Sequence, residues 1–375
     1  MLAALRRAAL TLLLLLLLAA PARAAIPDDP GSLGRPGGWQ FDQWNFLAPA
    51  GVDAPRAWDN LIAAGRPGGR GVKVAVLDTG LAFENYGRYR RSPDISRFRI
   101  ADPYSFCPHA GAGTDPCAGR SRHPDDDNGH GTHVASTIAE ATANGLGETG
   151  LAYGATIMPI EVLNRLGTGD EASISRGIVY AAKHGAQVIN LSFEFGNTVN
   201  RASEIPKIAA AVRYARRRGA VVIAAAGNTA AAHVDYPAAL PGVISVGAVT
   251  DDDCLAAYSN TGDGLDLVAP GGGADAGLDQ PNCQGGRQGR PILQLTFTRS
   301  NKAFHLPTDF VGTSMATPHV SATAALMIAS GVLGRRPSPA AIEQRLKATA
   351  RDLGAPGWDP IYGAGLVDAG AATAP

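Results

Sequence analysis

An excess of charge of either sign is the first thing this sequence lacks: Lys plus Arg and Asp plus Glu number 33 each, so the formal net charge is zero. No long-range field therefore favours nucleic acid or an anionic membrane as a partner. Past the first 20 residues there is no apolar run of the roughly 20 residues that a membrane span needs, so no span is expected in the mature chain. Cysteine is scarce, with only Cys107, Cys117, Cys254 and Cys283, and none lies at Cys-x-x-Cys spacing, which disfavours a zinc site. What is present is ordinary for a globular protein, 45% hydrophobic and 18% charged residues. The 46 glycines and 26 prolines imply many turns between recurring apolar runs.

The N-terminus reads as an export signal. Arg6 and Arg7 give a positive start, Ala8 to Ala20 an apolar centre, and Ala22-Arg23-Ala24 a small-x-small cleavage site, so 1–24 is a signal and the mature chain starts near Ala25. An extracytoplasmic chain suits disulfides, and proximity in sequence favours the pairs Cys107 with Cys117 and Cys254 with Cys283 among the three connectivities. An arm over 25–54 follows, part of a Gly- and Pro-rich stretch up to Arg70 whose Trp39, Trp44, Phe46 and Trp58 would lay it over the body; Ala54 to Ala64 reads as a short helix. The main domain spans 55–370, with a short tail over 371–375.

Within the main domain, apolar, β-branched runs recur at Val72 to Leu77, Ala155 to Leu163, Gln187 to Phe193, Ala220 to Ala226 and Val243 to Val249. Helical stretches lie between them, notably Glu171 to His184, stopped by Gly185, and Ile208 to Arg218, stopped by Gly219. Strand and helix in alternation predict an α/β fold of three layers, a mostly parallel sheet with helices on both faces. In such sheets the active crevice lies at the carboxyl ends of the strands.

Four element ends carry suitable chemistry. Asp78 closes the first strong strand, His130 opens a small-residue helix between glycines, Asn228 follows the strand ending at Ala226, and Ser314 follows Gly312-Thr313 at the head of an apolar helix. Each has an ordinary structural explanation by itself, as a turn residue, a buried imidazole or a helix cap. Pro318 is expected in the first turn of the last helix, where its missing N–H is harmless. Taken together the four supply an acyl-transfer site. Ser314 needs a base, His130 can be that base, and Asp78 can hold its tautomer. The Asn228 side-chain amide and the Ser314 backbone N–H can hold an oxyanion.

In Asp78-Thr79-Gly80, His130-Gly131-Thr132-His133-Val134-Ala135, Ala226-Gly227-Asn228 and Gly312-Thr313-Ser314-Met315-Ala316-Thr317-Pro318, the chain resembles a subtilisin-like serine protease, a subtilase of the peptidase S8 family. The motifs occur in that family's Asp, His, Asn, Ser order, and the resemblance covers residues 55 to 370. It implies a secreted, monomeric serine endopeptidase acting on polypeptides, with no cofactor needed for the chemistry. It also implies a substrate cleft in which Ser192, Phe193 and Glu194 face Gly167, Thr168 and Gly169 across an extended peptide. Ala225, Ala226 and Gly227 would wall the first specificity pocket, with Asp235 at its floor and a preference for Arg or Lys before the cut.

The chain departs from that pattern in several places. Glu194 stands where a glycine is usual, and too few residues separate Ala25 from the first strand for a folded inhibitory propeptide. The stretch Gly271 to Asp309 is long and is expected to add a hairpin near Ser314. Structural calcium would have Asp94 as its one evident carboxylate, short of a six-to-eight-oxygen site. Two rival readings remain: a metal hydrolase using His130, His133 and Asp125 to Asp127, and a catalytically silent subtilase-fold binding module. The first leaves Ser314 and Asn228 without a role, and the second requires the loss of a catalytic group.

Overall fold

The structure, a computed structural model, describes residues 27–107, 120–278 and 282–375. The proposed signal and its cleavage site lie outside these residues, as does Cys117. The strands are β1 (Lys73–Asp78), β2 (Tyr104–Ser105), β3 (Thr156–Glu161), β4 (Val188–Leu191), β5 (Val221–Ala225), β6 (Val243–Val249) and β7 (Leu267–Pro270). They form one seven-stranded sheet in the order β2-β3-β1-β4-β5-β6-β7, every pairing parallel. β2 and β7 were not expected from the sequence. Both are too short to show a period, and they join the sheet because a longer neighbour offers a free edge.

Burial on both faces explains why the strands read as continuous apolar runs. Along β1, Val74 and Val76 point into one core cluster and Ala75 and Leu77 into the other; β5 divides the same way, Val221 and Ile223 against Val222 and Ala224. The first cluster includes the buried sides of α2 (Ala54–Ala63), α3 (His130–Ala139), α6 (Thr313–Ser330), α7 (Pro339–Ala348) and α8 (Ala369–Thr373). The second holds those of α4 (Glu171–Lys183) and α5 (Pro206–Arg217). This is the expected three-layer arrangement. α8 packs on α2, where Asn60 Nδ2 donates to the Gly370 carbonyl at 3.0 Å, so residues 371 to 373 belong to the body and not to a tail.

The arm's aromatics are core residues. Trp39, with α1 (Trp39–Asp42), sits edge-on to Trp58 at 5.5 Å between ring centroids, and the Phe46 edge meets the His319 ring of α6 at 5.7 Å. Each indole N–H finds a carbonyl: Trp39 that of Pro27, Trp44 that of Pro291 and Trp58 that of Leu151. Burying these rings contributes several kcal/mol, at about 25 cal/mol per Å² of apolar surface.

Pro318 corrects one expectation. It lies inside α6, past the first turn. A proline there removes the N–H that would bond the carbonyl of residue 314. The cost is met from outside the helix, because Ser192 Oγ donates to that carbonyl at 2.9 Å.

Candidate active site

The sheet order reverses direction at β1 and β4, and a crevice opens outside the carboxyl ends of strands at such a point. Asp78 is the last residue of β1 and is fully buried. Its Oδ1 accepts the Thr79 backbone N–H at 2.7 Å and faces His130 Nδ1 at 2.7 Å. A carboxylate at that distance requires the proton on Nδ1, which leaves Nε2 of the neutral ring as a base. Burial lowers the His130 pKa, but the Asp78 charge and hydrogen bond, with the charges of Asp126 and Glu194, raise it further, and the net direction is up.

His130 is placed by residues that the motif reading passed over. Asp126 Oδ1 accepts from Thr79 Oγ1 and from the N–H groups of Asn128 and Gly129, and its Oδ2 accepts from Thr132 N and Oγ1. One buried carboxylate thus ties the end of β1 to the start of α3. It satisfies N–H groups that helix geometry leaves free. Gly129 holds φ +103°, and an added Cβ would lie 2.0 Å from the Phe297 carbonyl oxygen. That contact comes from the long stretch Gly271 to Asp309. Thr296 and His305 exchange an antiparallel pair of hydrogen bonds there, and Thr296 Oγ1 donates to the Gly129 carbonyl at 2.7 Å. The expected extra hairpin therefore buttresses the start of the histidine helix. Cys254 and Cys283 are disulfide-bonded, as expected, at the base of this stretch.

Asn228 follows β5. Its Oδ1 accepts the Thr313 backbone N–H at 2.8 Å and Thr313 Oγ1 at 3.0 Å, and a backbone N–H can only donate, so the side-chain NH₂ must point the other way. That NH₂ donates to Glu194 Oε1 at 3.0 Å. Thr313 opens α6 and Ser314 is its second residue, where a backbone N–H has no partner within the helix. Asn260 was also missed. Its Oδ1 accepts from Thr229 N, Thr229 Oγ1 and Ala231 N, and its Nδ2 donates to Asp235 Oδ2, so it shapes the turn after Asn228. Buried acids and amides such as Asp126 and Asn260 leave no pattern in sequence, because their partners are largely backbone groups of loops that only the fold brings near.

The other expected residues fall as follows. Ala225, Ala226 and Gly227 are buried, and a Cβ on Gly227, at φ +117°, would lie 2.4 Å from Asp235 Oδ2. Asp235 is buried directly behind Gly227, and Oδ1 stands 3.4 Å from His233 Nε2. Burial raises its pKa. Ser192, Phe193 and Glu194 run on from β4. Gly167 and Thr168 are exposed and Gly169 half-buried, in a turn folded around the Asn164 side chain and not in a strand.

The metal readings fare differently. His133 is engaged elsewhere: its Nε2 meets the Ile292 carbonyl at 2.9 Å, its ring stacks on Phe310, and burial lowers its pKa to about 3. Asp94 is accompanied by buried Asp29, Glu140 and Glu148, but no three of these side chains bring their oxygens within 4.8 Å of one another. Among the described residues only Glu84, His123 and Asp125 bring three metal-capable atoms within 4.8 Å of one another. There His123 Nδ1 already meets Glu84 Oε1 at 2.8 Å.

A model of the subtilase family matches residues 69–365. The chain belongs to the subtilase family. It is 36% identical over 324 residues to Subtilisin Savinase of Lederbergia lenta, covering 86% of this chain and 96% of that protein. It is 32% identical over 283 residues to Thermitase of Thermoactinomyces vulgaris, covering 76% and 82%. Among solved structures, a chain described as proteases from Pseudoalteromonas arctica PAMC 21717 matches with a TM-score of 0.72 at 30% identity, over 92% of this chain and 98% of that one. This subtilase is therefore a serine endopeptidase, and the metal-hydrolase reading is set aside. No helix among the described residues is long and apolar enough to cross a membrane.

Proposed function

We propose that this subtilase cleaves polypeptides through an acyl-enzyme on Ser314. His130 Nε2 takes the Ser314 proton during attack and returns it to the departing amine, then activates the water that hydrolyses the ester. Asp78 keeps the proton on Nδ1 and stabilises the imidazolium. The Ser314 backbone N–H and the Asn228 side-chain amide hold the oxyanion. Ser192 to Glu194 and Gly167 to Gly169 flank the substrate backbone, and Ala225, Ala226, Gly227 and Asp235 bound the pocket for the residue whose carbonyl is attacked. The N-terminal apolar segment directs export, with removal near Ala24.

The observation that carries this reading is the 2.7 Å contact between Asp78 Oδ1 and His130 Nδ1, which fixes the ring as a base. The test is labelling by a fluorophosphonate probe together with casein hydrolysis. Both are expected in the intact protein and both should vanish in Ser314→Ala. A protein that neither labels nor hydrolyses casein refutes the mechanism and leaves a silent binding module.

A further inference from the structure

The Glu194 contact is at odds with the chemistry just assigned. Its Oε1 accepts from Asn228 Nδ2 at 3.0 Å, and that amide is the side-chain donor an oxyanion requires. A carboxylate on the donor competes with the oxyanion for it and repels it. The orientation is fixed, because Thr313 holds the other end of the amide by two hydrogen bonds.

The surroundings offer Glu194 no lasting cation. Among the described residues, the charges acting on it are those of Asp235, which repels it, and of His130, which must be neutral to serve as base. Asp235 lies behind Gly227 with Asn260 and His233 as its polar neighbours. Glu194 thus sits on the Asn228 amide with Asp235 buried nearby behind Gly227, and neither has a Lys or Arg partner among the described residues. Burial, with the Asp235 charge, raises the Glu194 pKa despite the Asn228 hydrogen bond.

We propose that Glu194 couples recognition to catalysis: its carboxylate holds the Asn228 amide in the resting enzyme, and a Lys or Arg side chain on the residue supplying the scissile carbonyl draws it away by ion pairing. The amide is then free for the oxyanion. A neutral side chain at that place leaves the carboxylate where it is, and the substrate turns over slowly. Glu194 is on this account a specificity-determining residue, and the proposal rests on the acyl-enzyme reading above.

The test uses matched peptides carrying arginine or its neutral isostere citrulline before the cut, with active enzyme counted by fluorophosphonate labelling. Wild type is expected to prefer arginine by at least about tenfold in kcat/KM, with a large part of the difference in kcat. Glu194→Gln and Glu194→Gly should bring the ratio towards one, both by lowering the arginine rate and by raising kcat on citrulline. Asp235→Asn should reduce the ratio by weakening arginine binding, without raising kcat on citrulline. The proposal is overturned if wild type shows no preference, if the ratio survives both Glu194 substitutions, or if Glu194→Gln slows both peptides equally. The last result would mean that Glu194 only orients Asn228. If wild type is not labelled at all, the acyl-enzyme reading itself fails, which is a different outcome.

Discussion

Ser192 Oγ donates to the backbone carbonyl of Ser314 at 2.9 Å, taking the place of the N–H that Pro318 does not have. The same hydroxyl accepts from Asn190 Nδ2 at 2.9 Å, and Asn190 Oδ1 accepts from Ser321 Oγ at 2.8 Å. A side chain of the cleft therefore fixes the first turns of the nucleophile's helix against β4. Ser192→Ala leaves a buried carbonyl without a donor, which costs about 1–3 kcal/mol. Urea unfolding should show that loss, and kcat should fall more than KM changes. Unchanged stability and kcat would show the bond to be dispensable.

Thr313 and Asn228 form a second such pair. Asn228→Ala should lower kcat about 100- to 1000-fold with little change in KM, the known effect of losing one oxyanion donor in subtilisin. Thr313→Val removes the hydroxyl's bonds to Asn228 and from the Gly227 N–H and keeps the backbone bond to Asn228, so its loss should be smaller and mainly in kcat. Steady-state kinetics on one peptide with arginine before the cut separate these outcomes; an effect on KM alone would place Asn228 in binding and not in oxyanion stabilisation.

The pH profile follows from His130. The base must be neutral, so kcat/KM is lost as pH falls through its pKa, and the net direction of that pKa is up from the ordinary value of 6.5. The acidic limb should therefore lie above about 6.5. Glu194→Gln deletes one of the charges that raise it, so its limb should move to lower pH. A limb below the ordinary histidine value, or no movement in the variant, contradicts this electrostatic picture.

Buried carboxyls predict a stability change of the opposite sign to ordinary acid denaturation. Burial, with the neighbouring Asp29 charge, raises Asp94 to about 8; burial, with Asp42, raises Glu148 to about 10; and burial, with Asp94 and Glu148, raises Glu140 well above its usual range. The unfolded chain releases these protons near pH 4, so between there and the folded values the native state binds more protons and stability falls as pH rises. In a chelating buffer the Tm should drop from pH 5 to pH 9. Glu148→Gln should flatten that slope, whereas a Tm that climbs over the same range would refute it.

Gly129→Ala should be among the most damaging single substitutions. The position needs left-handed backbone and has the Phe297 carbonyl where the methyl would go. A loss of more than about 2 kcal/mol is expected, with activity falling further than stability because His130 is displaced. Chemical denaturation and kcat on the folded fraction measure the two effects separately.

Much of the site was legible because subtilase chemistry sits at element ends, where short motifs such as Asp78-Thr79-Gly80 and Ala226-Gly227-Asn228 stand out. The long buried strands were legible for the same reason that they form: both faces are covered, so their apolar runs are unbroken. Asp126, Asn260 and Thr313 were not, since each acts on groups brought near only by the fold. The position of Pro318 was misjudged because its compensation comes from Ser192, more than a hundred residues earlier. The partner of Glu194 was equally hidden: the sequence marks the residue as unusual but not that it reaches the Asn228 amide.

The arm's contact with α6 ties the nucleophile's helix to residues far from it in sequence. Phe46 packs on His319, and Asn45 Nδ2 lies 2.8 Å from His319 Nε2, one turn beyond Ser314. Clipping the chain between Trp39 and Ala54 would strip the outer wall from the nucleophile's own helix. A cut there would therefore lower activity as well as stability, because the helix that loses its packing is the one that carries Ser314.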